Sequence, residues 1–185
     1  PNKKRKKKLS SGEIKDEVES IVHWDAEGDE PAAGAVEEGT VLVSRNMQSG
    51  DQKTFSFVSE HTWSEKGNIL VIEGTVSKAD KKSKNSVSVW RTIEGHADTI
   101  SRGGNDYRNY AIDKNGYQVA FTAERDSSAK ALQKFHKLWY WRNGTDSAVM
   151  IADKNSVGMP VSWCVSENGE LSFSKNGKRL FFGTA

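Results

Sequence analysis

A short pattern recurs three times in this chain. An apolar residue is followed by Ser or Asp, two polar residues, Gly, one or two mostly polar residues and an apolar run. The copies are Trp63-Ser64-Glu65-Lys66-Gly67-Asn68-Ile69-Leu70-Val71-Ile72, Ile112-Asp113-Lys114-Asn115-Gly116-Tyr117-Gln118-Val119-Ala120-Phe121 and Phe173-Ser174-Lys175-Asn176-Gly177-Lys178-Arg179-Leu180-Phe181-Phe182. Asn115-Gly116 and Asn176-Gly177 supply the positive φ that a tight turn needs, so each copy reads as a β-hairpin. Ser64, Asp113 and Ser174 stand where a short side chain bonds the turn backbone.

The strand after each turn is apolar at consecutive positions, whereas a sheet with one wet face would alternate. Both faces of that strand are therefore expected to be covered. Small sheets covered on both faces, recurring about every 40 to 50 residues, are the sequence signature of β-propeller blades. Gly67 and Gly116 lie 49 residues apart, and Gly177 follows 61 residues later. The second interval accommodates an insertion.

A closed propeller takes about four to eight blades, and 185 residues are too few for that. The expectation is an all-β chain, a partial β-propeller of about three blade equivalents built from four-stranded antiparallel blades, truncated at both ends. Residues 1–39 read as a charged loop between blade strands and residues 40–185 as the partial propeller. Within it, 40–58 is half a blade, 61–101 and 107–152 are full blades, and 161–185 is half a blade. A helical turn is expected within 124–134, and a short strand at 20–24.

With 27 basic and 25 acidic residues the net charge is +2, which leaves no overall nucleic-acid footprint. The opening run Pro1-Asn2-Lys3-Lys4-Arg5-Lys6-Lys7-Lys8 is followed by an acidic stretch that competes for it. It reads as a solvated loop, with a nuclear-localisation or nucleic-acid patch as the alternative. The single cysteine, Cys164, excludes an internal disulfide framework. No apolar run approaches the length of a membrane span.

Few residues offer themselves for chemistry. His23, His61, His96 and His136 lack metal-ligand spacing and have no Cys pair beside them, so no metal or other cofactor is expected. Cys164 reads as a packed, inert thiol. No Gly-x-Ser-x-Gly elbow exposes a serine nucleophile. Arg102-Gly103-Gly104 reads as a turn rather than a phosphate loop, and Asn143-Gly144-Thr145 as a hairpin turn before a glycosylation sequon. Asp113-Lys114-Asn115-Gly116 echoes the start of a calcium loop without its closing carboxylate. Trp139, Tyr140 and Trp141 alternate across a strand and are expected to pack in the core rather than serve as a stacking platform. No catalytic, cofactor-binding or metal residue is assigned.

The run Gly158-Met159-Pro160-Val161-Ser162-Trp163-Cys164-Val165-Ser166-Glu167-Asn168-Gly169-Glu170-Leu171, continuing through the third hairpin to Ala185, resembles a segment of the propeller domain of bacterial prolyl oligopeptidase-family serine peptidases. Phe121-Thr122-Ala123-Glu124-Arg125-Asp126 is similar to the same domain. The resemblance implies a dipeptidyl peptidase-like parent whose propeller gates or screens peptide substrates for a C-terminal α/β-hydrolase domain carrying a Ser-Asp-His triad. None of the triad positions falls here, so no catalytic residue is carried over. It also implies a periplasmic or secreted location. The alternative from another class is a TolB-like, non-enzymatic scaffold that binds proteins through its blade loops.

Overall fold

A computed structural model describes residues 39–76, 84–128 and 130–185. The loop and short strand expected before residue 39 lie outside these. The described chain forms eleven strands and no helix. They are β1 (Thr40–Arg45), β2 (Gln52–Trp63), β3 (Ile69–Gly74), β4 (Ser86–Arg91), β5 (His96–Arg102), β6 (Asp106–Ile112), β7 (Gln118–Glu124), β8 (Lys137–Arg142), β9 (Val149–Ala152), β10 (Ser172–Phe173) and β11 (Leu180–Phe181). Neighbours in sequence pair antiparallel, giving sheets ordered β1-β2-β3-β4-β5, β6-β7-β8-β9 and β10-β11.

The three repeated turns are built alike. The Gly N–H donates to the carbonyl three residues back, at 2.9 Å for Gly67 to Ser64, 2.9 Å for Gly116 to Asp113 and 2.8 Å for Gly177 to Ser174. The Ser64, Asp113 and Ser174 side chains each accept the N–H five residues on, from Ile69 (3.1 Å), Gln118 (2.6 Å) and Arg179 (3.0 Å). The closing bonds from the Ser64, Asp113 and Ser174 N–H groups to the Ile69, Gln118 and Arg179 carbonyls complete the three hairpins at 3.0, 3.1 and 2.9 Å. The small polar side chain thus satisfies donors that the tight turn turns away from the sheet.

Strand β3 shows why an apolar run follows the turn. Successive side chains point to opposite faces. Ile69 and Val71 enter a core with Val87, Val89 and Ile100 of their own sheet and Val119, Phe121 and Trp141 of the next. Leu70 and Ile72 enter a second core with Val58 and Trp90, covered by Leu42 and Phe55. Strand β7 repeats the scheme: Ala120 on its other face joins Leu138, Val165 and Leu171 in a core shared with the third unit. The sheets therefore stack face against face, and each buried apolar side chain contributes on the order of 1.5–3 kcal/mol.

Strand β2 runs unbroken from Gln52 to Trp63, across the division expected between residues 58 and 61, and pairs its first half with β1 and its second with β3. The chain absorbs the change of partner as a bulge between Val58 and Glu60, with Phe57 at φ 58°. The β1–β2 hairpin folds over the face of β3 and β4 that looks away from the second sheet, Phe55 meeting Trp90 edge-on at 5.3 Å. The helical turn expected within 124–134 is not formed among the described residues of that stretch. The Glu124 carboxylate instead accepts the N–H groups of Asp126 (2.9 Å) and Ser127 (2.7 Å), which holds the chain in a loop.

Candidate functional site

Strand β6 bulges between Arg108 and Ala111, with Asn109 at φ 53°, a conformation Asn tolerates better than most residues. That bulge and the one in β2 leave a cleft of about 540 Å³, to which all three units contribute. Its charged lining is Glu60 and Glu73 from the first sheet, Arg108 from the second and Glu167 from the third unit.

Glu73 is the most constrained of these. Burial raises its carboxyl above the usual range, and the Tyr110 hydroxyl, donating to Oε2 at 2.7 Å, partly offsets the shift. Burial together with the facing Glu73 pushes the Tyr110 hydroxyl far up. The Asn109 side-chain amide donates to the Glu167 carbonyl at 2.7 Å and ties the third unit to the bulge. Behind Glu167 sits His136, buried, with Nε2 3.1 Å from Asp106 Oδ2. That hydrogen bond holds the Asp106 carboxyl below its usual range, against the opposing effect of burial, and Arg108 adds to it at 2.8 Å. His136 Nδ1 lies 3.9 Å from Glu167 Oε2. An excess of carboxylates on a cleft of this size suits a small cationic group such as a protonated amine.

The residues singled out in the sequence are scattered or structural. His23 lies outside the described residues, His61 is exposed on β2, and exposed His96 pairs with Asp98 at 2.8 Å. Cys164 is half-buried, its thiol raised by burial and then by Glu167, and its backbone is locked to Ala185. Asp113 accepts backbone N–H groups from Asn115, Tyr117 and Gln118, so its carboxylate is engaged by the turn. Asn143-Gly144 forms the expected turn, closed by Thr145 N–H to Arg142 at 3.0 Å, and Trp141 is core. The cleft residues were missed because they belong to different repeats. Only the polar Asp106-Tyr107-Arg108-Asn109 at the head of a strand hinted at them.

No family model and no curated protein matches the sequence. Among solved structures, the tricorn protease is similar at 12% identity with a TM-score of 0.53, over 78% of this chain and 13% of that one. The fold is a partial β-propeller. TolB from Acinetobacter baumannii is similar at 13% identity, TM-score 0.44, over 76% of this chain and 31% of that one. The β-propeller domain of the Trilobed protease from Pyrococcus furiosus is similar at 7%, TM-score 0.46, over 68% and 44%. The chain thus spans 13% of the tricorn protease chain.

Proposed function

We propose that this chain is the non-catalytic propeller portion of a prolyl oligopeptidase-like serine peptidase, screening peptide substrates for a C-terminal α/β-hydrolase domain of the same polypeptide. The observation that carries the reading is the likeness of its stacked sheets to part of a protease, joined to the resemblance of residues 158–185. The carboxylate-lined cleft supports it, since Glu60, Glu73 and Glu167 attract the protonated amine of a short peptide. The partners are then the hydrolase domain and peptides, and the location is periplasmic or secreted.

The test is the coding sequence beyond Ala185 together with active-site labelling. A following domain with Gly-x-Ser-x-Gly, then Asp and His, supports the peptidase; a stop after the last blade would favour the TolB-like scaffold. The chain itself is expected to hydrolyse no peptide or ester and to stay unlabelled by a fluorophosphonate. No described serine sits on an elbow, and activation needs an adjacent base. Labelling of a serine in the folded chain would refute this.

A further inference from the structure

A second cleft, on the outer side of the stack, carries the opposite charge. The last strands of the first two sheets touch where the Ala148 N–H donates to the Ile100 carbonyl at 2.8 Å. Beyond that bond a cleft of about 560 Å³ opens between Arg102 of β5 and Met150 of β9. Lys84, Arg102, Arg125 and Lys137 line it against a single carboxylate, Asp126, which Lys137 engages. In a chain whose total charge is nearly balanced, this is a local concentration of cations.

Arg125 is held ready. Its guanidinium lies over the Trp139 ring, 4.6 Å from the centroid, and Nη2 donates to the Arg102 carbonyl at 2.6 Å. Among the described residues no carboxylate pairs with Arg102 or Arg125. A guanidinium has five N–H donors in a planar fork. Stacking and the carbonyl fix the plane of this one, so less freedom remains to be lost when an oxyanion is gripped at two points. Trp139 and Met150 add an apolar wall. Strand β9 is the edge of its sheet, with Val149 and Ile151 exposed. Such an edge offers backbone hydrogen bonds to an extended chain.

We propose that this cleft binds an extended acidic peptide segment, Arg125 gripping one carboxylate at two points while Lys84 and Arg102 flank it. The apolar wall and open edge favour a peptide over a bare anion. The proposal stands independently of the peptidase reading, because it uses none of the residues of the acidic cleft.

Calorimetric titration of the folded chain with a capped peptide alternating Glu and Val tests it, with inorganic phosphate and the Lys/Val counterpart as comparisons. The Glu/Val peptide is expected to bind, and to bind about tenfold or more weakly after Arg125→Gln. Binding should also weaken several-fold in about 0.5 M salt, where the screening length falls to a few Å. Lys84 is exposed, so Lys84→Gln reports the same loss without disturbing packing, whereas Lys175→Gln, exposed at the third turn and lining neither cleft, should leave binding unchanged. The proposal is overturned if the peptide fails to bind, if Lys84→Gln and Arg125→Gln both bind as the parent does, or if phosphate or the Lys/Val peptide binds as tightly.

Discussion

Replacing Asp113 by Ala should be the most damaging single change at the repeated turns, and the three turns provide internal controls. Asp113 is only 3% exposed, and its carboxylate accepts from Asn115 (3.2 Å), Tyr117 (2.7 Å) and Gln118 (2.6 Å). A hydrogen bond to a charged acceptor contributes about 1.5–3 kcal/mol, and a buried donor left unpaired costs about 1–3 kcal/mol. Tyr117 is exposed, so water can replace part of what is lost there. The expected cost is therefore about 3–4 kcal/mol rather than the sum of three bonds. Ser64→Ala strands one donor, the N–H of buried Ile69, and should cost about 1–2 kcal/mol. Ser174→Ala strands the N–H of exposed Arg179, which water can reach, and should cost about 0.5 kcal/mol. Asp113→Asn is the sharper probe, because Oδ1 alone accepts from both Tyr117 and Gln118 and an amide oxygen can keep both bonds. It should lose only about 1–2 kcal/mol. Urea unfolding reads the series. With a slope of about 1–3 kcal/mol per molar, Asp113→Ala shifts the midpoint by about 1–4 M. An Asp113→Ala midpoint matching that of Ser174→Ala would refute the assignment of the carboxylate as the turn's main acceptor.

Gly116→Ala should cost clearly more than Gly67→Ala in the same assay. Both glycines have positive φ, but a Cβ at Gly116 would sit 2.5 Å from Asn68 Oδ1, whereas one at Gly67 meets nothing. Asp106, held low by His136, contributes stability that is present above its ordinary value of 3.8 and lost as pH falls through the lowered one; Asp106→Asn should flatten the acid limb of the stability profile. Glu73, raised by burial, contributes stability that is full below 4.5 and lost as pH rises through the raised value, so Glu73→Gln should be neutral or stabilising at pH 7. Phe181 is 55% exposed beside exposed Phe182, and the chain should bind an apolar dye and self-associate at micromolar concentration; Phe181→Glu should reduce both, as sedimentation would show.

The parts of the fold written locally were legible. A Ser or Asp three residues before a Gly closes a turn by itself, and the apolar run after it needs cover on both faces, so the hairpins at Gly67, Gly116 and Gly177 could be placed from sequence. The division at residue 58 was not legible, because whether a chain breaks or bulges depends on what pairs with it. Nothing in Val58-Ser59-Glu60-His61 records that β1 and β3 share one partner strand. The acidic cleft failed for the same reason at longer range: Glu73, Arg108 and Glu167 are neighbours only because the sheets stack.

That stacking is also where the repeat acquires a second meaning. The Asn68 side-chain amide donates to the Asn115 carbonyl at 2.8 Å, and the Gln118 amide donates to the Gly177 carbonyl at 3.1 Å. The second and third turns are thus each held by a side chain from the turn before. The glycine answers two demands at Gly116 and Gly177: a positive φ for its own turn, and room for the preceding amide, which a Cβ would meet at 2.5 and 2.8 Å. At Gly67 only the first demand is met among the described residues. Turn closure alone would make the three glycines equivalent; stacking ranks them, with Gly67 the most tolerant. The amides carry the converse prediction, argued from the same bonds. Gln118→Ala should loosen the third unit from the second, and hydrogen exchange should rise at Gly177 and Arg179 while the Asp113 turn stays protected. If exchange rises equally in all three turns, the turns do not form a ladder, and the sheets are held by their apolar faces alone.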